Sequence, residues 1–219
     1  MKLLFKYTTR SRRSNFLRGY DSIINQLANY EDYHILISVD KDDSTMFPLP
    51  ILQGNYTFVV GNSKNKIDAI NRDINDFDYD WDILINMSDD MIFTKNRFDD
   101  IIRLQFANYE IDQYIHFNDG NQAGNVCTMH IVGREYYNRF KYIYHPDYIS
   151  LWCDVENDVV AKQLGCYKYM GDTFQIFSHL HPAWGLAKHD ELSIKTEDRA
   201  LWIADEITFN KRKKINFGL

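Results

Sequence analysis

Asp89 and Asp90 are adjacent carboxylates near the middle of the chain. They lie in the segment Ile83-Leu-Ile-Asn-Met-Ser-Asp-Asp-Met-Ile-Phe93, so one apolar run precedes them and another follows. Half-buried carboxylates repel each other unless a cation lies beside them. Mg²⁺ and Mn²⁺ bind carboxylate oxygens and leave coordination positions for phosphate oxygens. The pair therefore predicts a divalent-metal site, and a strand-end turn with two solvated aspartates is the alternative.

His179 and His181 could complete this site from the second half of the chain. They are two positions apart in His179-Leu-His-Pro182, and side chains at this spacing point to the same side of an extended chain. Imidazole nitrogen is a ligand for borderline divalent cations, so either ring could bind Mn²⁺. The alternative for each is a hydrogen-bonded core histidine.

Carboxylates suited to proton transfer occur in Trp152-Cys-Asp-Val-Glu156. Asp154 and Glu156 open a predicted helix, where the helix dipole favours negative charge, and this could be their whole role. The functional interpretation is a general base beside an aromatic platform, Trp152. A helix turns by about 100° per residue, so the two carboxylates diverge by about 200° and one of them faces the site. We expect Asp154 to be the base and Glu156 to orient it or to satisfy the dipole.

Hydrophobic periodicity places these residues on alternating strands and helices. The predicted strands of the first half are 2–7, 34–39, 56–60 and 81–86, and the predicted helices are 14–29, 67–74 and 96–107. This alternation predicts an α/β fold with a mostly parallel sheet between helices. Ligands bind at the carboxyl ends of such strands. The polar loops that follow three of them, 8–13, 40–43 and 88–90, should therefore meet in one crevice.

The second half is less regular. Its predicted strands are 113–118, 125–131 and 174–177, and its predicted helices are 133–140, 154–164 and 197–211. No linker composition interrupts the chain. We therefore expect one domain over 1–189, with halves 1–110 and 111–189, followed by a small helical extension over 190–219.

The composition excludes several classes of protein. The chain has 219 residues, of which 45% are hydrophobic and 26% charged, and a net charge of −6, which argues against binding to nucleic-acid duplexes. Cys127, Cys153 and Cys166 are odd in number and lack Cys-x-x-Cys spacing, so we expect reduced thiols and a cytoplasmic location. No apolar run approaches about 18 residues, so we expect no membrane span. The phosphate-loop, dinucleotide-binding, zinc-protease and serine-hydrolase motifs are all missing from the sequence.

In their order, these segments resemble the GT-A glycosyltransferases, especially inverting enzymes of the family 2 type. Ser88-Asp89-Asp90 resembles a variant of their Asp-x-Asp element, and Gly61-Asn-Ser-Lys-Asn-Lys-Ile-Asp-Ala-Ile-Asn71 resembles their glycine-containing loop and following helix. Asp40 stands where the family has an acid that contacts the nucleotide base. The 152–156 segment resembles the late acidic element that supplies the base, and 179–182 resembles a late histidine segment that can bind metal.

The resemblance implies a GT-A, Rossmann-like fold and transfer of a sugar from a nucleotide-sugar, on family grounds a UDP-sugar, to an acceptor hydroxyl with inversion. The acceptor would be a glycan, a protein or a small molecule. The implied cofactor is Mn²⁺ or Mg²⁺, with Asp90, His181 and His179 as metal ligands and Asp154 as the base. The residues implied to hold the nucleotide-sugar are Thr8, Arg10, Asp40, Lys66, Asn71, Asp89 and Trp152.

Three other functions remain open at this stage. A sugar-phosphate nucleotidyltransferase shares the fold class, but it needs a glycine-rich loop near the N-terminus, and residues 8–13 contain no glycine. A non-catalytic nucleotide- or carbohydrate-binding protein would have a degenerate site. A metal-dependent phosphohydrolase would use Asp89, Asp90, His179 and His181.

Overall fold

A computed structural model describes residues 1–29, 31–107, 111–172 and 174–219. The strands are β1 (Leu3–Thr8), β2 (Tyr33–Asp40), β3 (Tyr56–Gly61), β4 (Ile83–Met87), β5 (Met91–Phe93), β6 (Tyr114–His116), β7 (Ile131–Gly133), β8 (Tyr167–Tyr169) and β9 (Phe177–His179). The helices are α1 (Arg13–Gln26), α2 (Lys66–Asn71), α3 (Phe98–Ala107), α4 (Arg134–Phe140), α5 (Cys153–Gln163), α6 (Glu191–Thr196) and α7 (Arg199–Lys214).

Seven of the described strands form the central sheet, in the order β3-β2-β1-β4-β7-β6-β8. The first four of these are parallel, β7 is antiparallel to both of its neighbours, and β8 is parallel to β6. The predicted α/β architecture with a mostly parallel sheet is therefore confirmed. A separate two-stranded antiparallel sheet joins β5 to β9.

Helices cover both faces of the sheet because its central strands are apolar on both faces. In β1, Phe5 and Tyr7 face a core formed with α1 and α3, whereas Leu4 faces a second core formed with α2, α4, α5 and α7. Successive side chains of a strand point to opposite faces, so one continuous apolar run supplies both cores. This packing fixes the strand ends from which the polar loops project.

The sequence-based boundaries differ from the structure mainly in the second half. Only residue 131 of the predicted strand 125–131 belongs to a strand. The loop before it is held by Asp119, which accepts the N–H groups of Asn121 and Gln122 and the hydroxyl of Thr128. The predicted strand 174–177 begins instead at Phe177 and extends to His179. The three-residue strand β8 was missed, because so short an element shows no periodicity. In the described parts of the chain, no helix has the length and apolar character needed to cross a membrane.

Candidate active site

The aspartate pair lies in the tight turn between β4 and β5, at the carboxyl end of β4. In the order of the sheet, β4 is the last of the four parallel strands. Asp89 is buried; its Oδ2 accepts a 3.0 Å hydrogen bond from the Thr9 hydroxyl, and its Oδ1 lies 3.3 Å from Arg12 Nη1. Asp90 points toward a different partner, with its Oδ2 lying 3.3 Å from His179 Nε2. One carboxylate therefore faces the basic loop after β1 and the other faces a histidine.

The two carboxylates also differ in their affinity for protons. Burial, with the neighbouring charge of Asp90, raises the pKa of Asp89 to about 7. Burial acts in the same direction on Asp90, but its hydrogen bond to His179 and the charge of that ring outweigh burial and hold the pKa of Asp90 below the ordinary value of 3.8. Asp90 is therefore the more acidic carboxylate of the pair.

His179 reaches Asp90 because β9 pairs antiparallel with β5, which places His179 opposite Met91. The N–H of Leu180 then donates a 2.7 Å hydrogen bond to the carbonyl of Asp90. His181 follows, with its ring centroid 5.1 Å from that of His179. Asp90, His179 and His181 each offer one ligand atom, and these atoms lie within 4.8 Å of one another.

The donor set fits a divalent metal ion. One carboxylate oxygen and two imidazole nitrogens suit Mn²⁺ or a similar cation. His181 Nδ1 accepts a 3.2 Å hydrogen bond from the N–H of Ala183, and its Nε2 lies 3.0 Å from Oε1 of Glu197. Glu197 thus adds a further carboxylate beside the three candidate ligands.

Asp119, in the loop after β6, is a site residue that the sequence analysis missed. Its Oδ2 lies 3.4 Å from His179 Nδ1, on the side of the ring opposite Asp90. The two carboxylates outweigh the effect of burial and raise the pKa of His179 to about 9. A carboxylate behind a ligating histidine fixes the orientation of the ring. The only sequence signal was an acidic residue after an apolar run, in Ile115-His-Phe-Asn-Asp-Gly120.

Arginines of the loop after β1 connect the site to neighbouring loops. Arg10 pairs with Asp42 through two hydrogen bonds of 2.7 Å and with Asp40 through one of 2.8 Å. Arg12, also missed by the sequence analysis, contacts Asp89 and donates two 2.6 Å hydrogen bonds to Asp190, the residue that precedes α6. The predicted meeting of the loops after β1, β2 and β4 is therefore confirmed.

Asp154 lies at the start of α5, where its Oδ1 accepts a 2.8 Å hydrogen bond from the N–H of Val155. Burial raises the pKa of Asp154, and the positive charges of Lys66 and His179 oppose that rise. Lys66 is exposed at the start of α2, and its positive charge also lowers the pKa of Asp90. The charge of Lys66 thus acts on both carboxylates, and that of His179 acts on Asp154 as well as on Asp90.

Glu156 does not join this cluster, which corrects its placement among the catalytic candidates. It is buried and accepts hydrogen bonds of 2.7–2.9 Å from the Arg212 guanidinium and one of 2.7 Å from the Tyr148 hydroxyl. Because Glu156 points from α5 toward α7, its carboxylate ties two helices together. From that position Glu156 cannot reach the crevice between the loops after β1, β2 and β4.

Asn71 likewise has a structural position instead of the predicted nucleotide-sugar contact. Its amide donates a 2.6 Å hydrogen bond to the carbonyl of Tyr144 and accepts the N–H groups of Ile143 and Tyr144 at 2.9 and 3.0 Å. These bonds occupy both ends of the amide. Asn71 therefore joins the end of α2 to the chain segment after α4.

Trp152 and Thr8, two of the predicted nucleotide-sugar contacts, contact other parts of the chain in the structure. Trp152 has φ of 64°, a left-handed conformation that is rare for a bulky residue, and its ring packs 5.2 Å from the rings of both Trp202 and Phe209. Its ring is therefore part of the packing against α7. Thr8 ends β1 and donates a 3.4 Å hydrogen bond to the carbonyl of Ala69.

No protein-family model and no curated protein matches the sequence. The structure is similar to the mannosyltransferase PcManGT from Pyrobaculum calidifontis, solved with GDP-Man and Mn²⁺, with a TM-score of 0.61 and 11% identity over 78% of this chain and 54% of that one. It is also similar to the 1–349 segment of TarS from S. aureus, with a TM-score of 0.58 and 10% identity over 80% of this chain and 59% of that one. The chain thus spans little more than half the length of these two proteins.

A third similar structure is a Drosophila β1,4-galactosyltransferase 7 mutant in complex with manganese, UDP-Gal and xylobiose. Its TM-score is 0.56 at 15% identity, over 91% of this chain and 81% of that one. At such low identity these likenesses bear on the fold alone. They agree with the resemblance seen in the sequence, and the chain has the GT-A fold of these glycosyltransferases.

Proposed function

We propose that this protein is a metal-dependent glycosyltransferase that moves a sugar from a nucleotide-sugar to an acceptor hydroxyl with inversion. The observation that carries the proposal is the convergence of Asp90, His179 and His181 at the strand ends. A hydrolase of phosphate esters would use the same residues with Asp154 activating water, and the GT-A fold of the chain favours sugar transfer instead.

Asp90, His179 and His181 would hold the cation, which when bound supplies positive charge next to the leaving diphosphate. Lys66 and Arg12 add positive side-chain charge on the same side of the sheet. Charge placed in advance where negative charge develops is the largest contribution to many enzymatic rates.

Asp154 would accept the proton of the acceptor hydroxyl as that oxygen attacks the anomeric carbon from the face opposite the diphosphate. A positioned general base accelerates such a step by about 10²–10⁴-fold. Burial favours this role, because it raises the proton affinity of the Asp154 carboxylate. The proton stays on the Asp154 carboxyl during the transfer and passes to solvent after the products are released.

The nucleotide would lie over the loops after β1 and β2, with Arg10 and Asp40 nearest its base. We propose a UDP-sugar, on the family resemblance of Asp40 and its loop. The neighbours of similar fold were solved with GDP-Man and with UDP-Gal, so guanosine and uridine nucleotides are the two bases to compare. We also propose that 1–110 binds the nucleotide-sugar and 111–189 the acceptor.

The test is a thermal-shift panel of UDP, GDP, CMP and ADP, each with and without Mn²⁺. A ligand at 100 times its Kd stabilises the folded state by about 2.7 kcal/mol, so the preferred base raises the melting temperature. We expect UDP with Mn²⁺ to give the largest rise and Asp90→Asn to remove it. If no nucleotide raises the melting temperature with Mn²⁺, the proposal is wrong.

A further inference from the structure

A second cluster of metal-ligating side chains lies in the core, between α5 and the chain segment that precedes β7. Cys127, His130 and Asp158 each offer one ligand atom, and these atoms lie within 4.8 Å of one another. All three residues are buried, with exposed fractions of 0%, 1% and 3%. Their donors are a sulfur, an imidazole nitrogen and a carboxylate oxygen, a set that suits Zn²⁺.

The histidine of this cluster has an unsatisfied nitrogen. His130 Nδ1 lies 2.9 Å from the Tyr144 hydroxyl, whereas its Nε2 is buried and has no hydrogen-bond partner among the described residues. Leaving a buried polar atom without a partner costs about 1–3 kcal/mol. Asn86 lines the same small cavity as His130, and its buried Oδ1 likewise has no hydrogen-bond partner in the part of the chain that the structure describes. This part of the core therefore contains polar atoms that the folded chain alone does not satisfy.

The carboxylate of the cluster is buried, and the described residues give it no ion pair, although the charge of Lys162 acts on it. Asp158 accepts hydrogen bonds from the Tyr114 hydroxyl at 2.7 Å and from the N–H of Cys127 at 3.1 Å. Neither donor neutralises its charge. A cation between the carboxylate, the thiolate and the imidazole would supply that missing charge, and the neutral His130 that burial favours is the form that binds metal.

We propose that Cys127, His130 and Asp158 form a structural Zn²⁺ site in the core, separate from the catalytic metal site. On binding, the Cys127 thiol would lose its proton to solvent and ligate as thiolate, and a water molecule or a neighbouring polar atom would fill the fourth position of a tetrahedral site. Asp158 lies on α5 one turn after Asp154. The metal would therefore tie the helix that carries the proposed base to the segment that leads into β7.

The experiment uses Co²⁺ as a spectroscopic substitute for Zn²⁺. The full chain is unfolded with chelator, refolded with Co²⁺ and freed of excess metal, and its near-ultraviolet thiolate–Co²⁺ absorption and bound metal are measured. We expect one retained Co²⁺ with this absorption. Asp90→Asn should keep both, because it alters only the proposed catalytic site, so failure of one proposal is distinguishable from failure of the other.

Cysteine variants test whether Cys127 supplies the sulfur that binds the metal. The other cysteines, Cys153 and Cys166, are also free thiols, so the double variant Cys153→Ser/Cys166→Ser leaves Cys127 as the one cysteine of the chain. This variant should keep the absorption, and Cys127→Ser should lose it along with the bound metal. Absence of the absorption from the unmodified chain or from the double variant would overturn the proposal. So would its persistence in Cys127→Ser, and if that variant fails to fold, the double variant still decides.

Discussion

His179 Nε2 lies 3.3 Å from Asp90 Oδ2, and the antiparallel pairing of β5 with β9 creates this contact. The pairing is short, with three residues in each strand. It nevertheless joins the turn at the end of β4 to a segment from the far end of the chain. The proposed metal site thus depends on a two-stranded sheet outside the main sheet.

Asp90→Asn should lower turnover of a nucleotide-sugar by at least about 10²-fold, the range seen when one electrostatic stabiliser of a transition state is removed. The substitution keeps the shape of the side chain but removes a charged ligand. The melting temperature without ligands should also fall, because the folded protein stabilises the charge of Asp90 through His179, so turnover is compared at a temperature where both proteins are folded. Steady-state kinetics over a range of Mn²⁺ concentrations measures the effect.

Asp100→Asn is the matched control for this prediction. Asp100 pairs with Arg97 on the surface, and the two side chains have exposed fractions of 42% and 68%. This control should therefore leave turnover unchanged. Full activity of Asp90→Asn, or of the unmodified protein in excess chelator, would contradict a metal-dependent mechanism.

Asp119→Asn should weaken Mn²⁺ binding by about 10–100-fold, the usual effect of removing a carboxylate behind a ligating histidine. Asp119 contacts the Nδ1 side of His179 and leaves Nε2 toward Asp90. Because Asp119 acts through His179, saturating Mn²⁺ should restore most of kcat. A merely structural role for Asp119 would instead lower the melting temperature and leave the Mn²⁺ dependence of the rate unchanged.

Lys6 should give the free energy of unfolding a distinctive pH dependence. It is fully buried within β1, and burial lowers its pKa to about 7 although the charge of Asp73 opposes this. The ordinary pKa of 10.5 applies in the unfolded chain, so between pH 7 and 10.5 the unfolded state binds more protons. Stability should therefore rise with pH in this window, by up to about 1.4 kcal/mol per pH unit, and this slope should vanish below pH 7.

Urea unfolding of the unmodified protein and of Lys6→Met at pH 7.5 and 9.0 isolates this effect. Relative to the variant, the unmodified protein should gain about 2 kcal/mol over that interval. Lys2→Met is the control, because Lys2 is exposed and pairs only weakly with Asp80 at 3.7 Å. A difference between Lys6→Met and the unmodified protein that does not change with pH would show that Lys6 keeps its ordinary proton affinity.

The sheet and the loops at its carboxyl edge could be predicted because long apolar runs such as 34–39 leave little ambiguity about burial. Asp119 could not be found in this way, since its role depends on a loop whose turns have no periodic pattern. The same limit applies to Arg12, whose bonds to Asp89 and Asp190 join residues remote in the sequence. Long-range pairing of short segments carries little local signal, and the site is built largely from such pairings.

Substitutions of Asp154 and Glu156 should have different effects, the first on catalysis and the second on stability. Asp154→Asn should nearly abolish sugar transfer while binding of the nucleotide-sugar survives, because a base acts only when the acceptor attacks. Glu156→Gln should leave the chemical step largely intact but lower the free energy of unfolding by up to about 3 kcal/mol, since it leaves the buried Arg212 guanidinium without its counter-charge. Transfer kinetics, nucleotide-sugar binding and urea unfolding of both variants distinguish the two effects. Loss of transfer in Glu156→Gln at unchanged stability would assign the base to Glu156, and full transfer by Asp154→Asn would show that Asp154 only stabilises the start of α5.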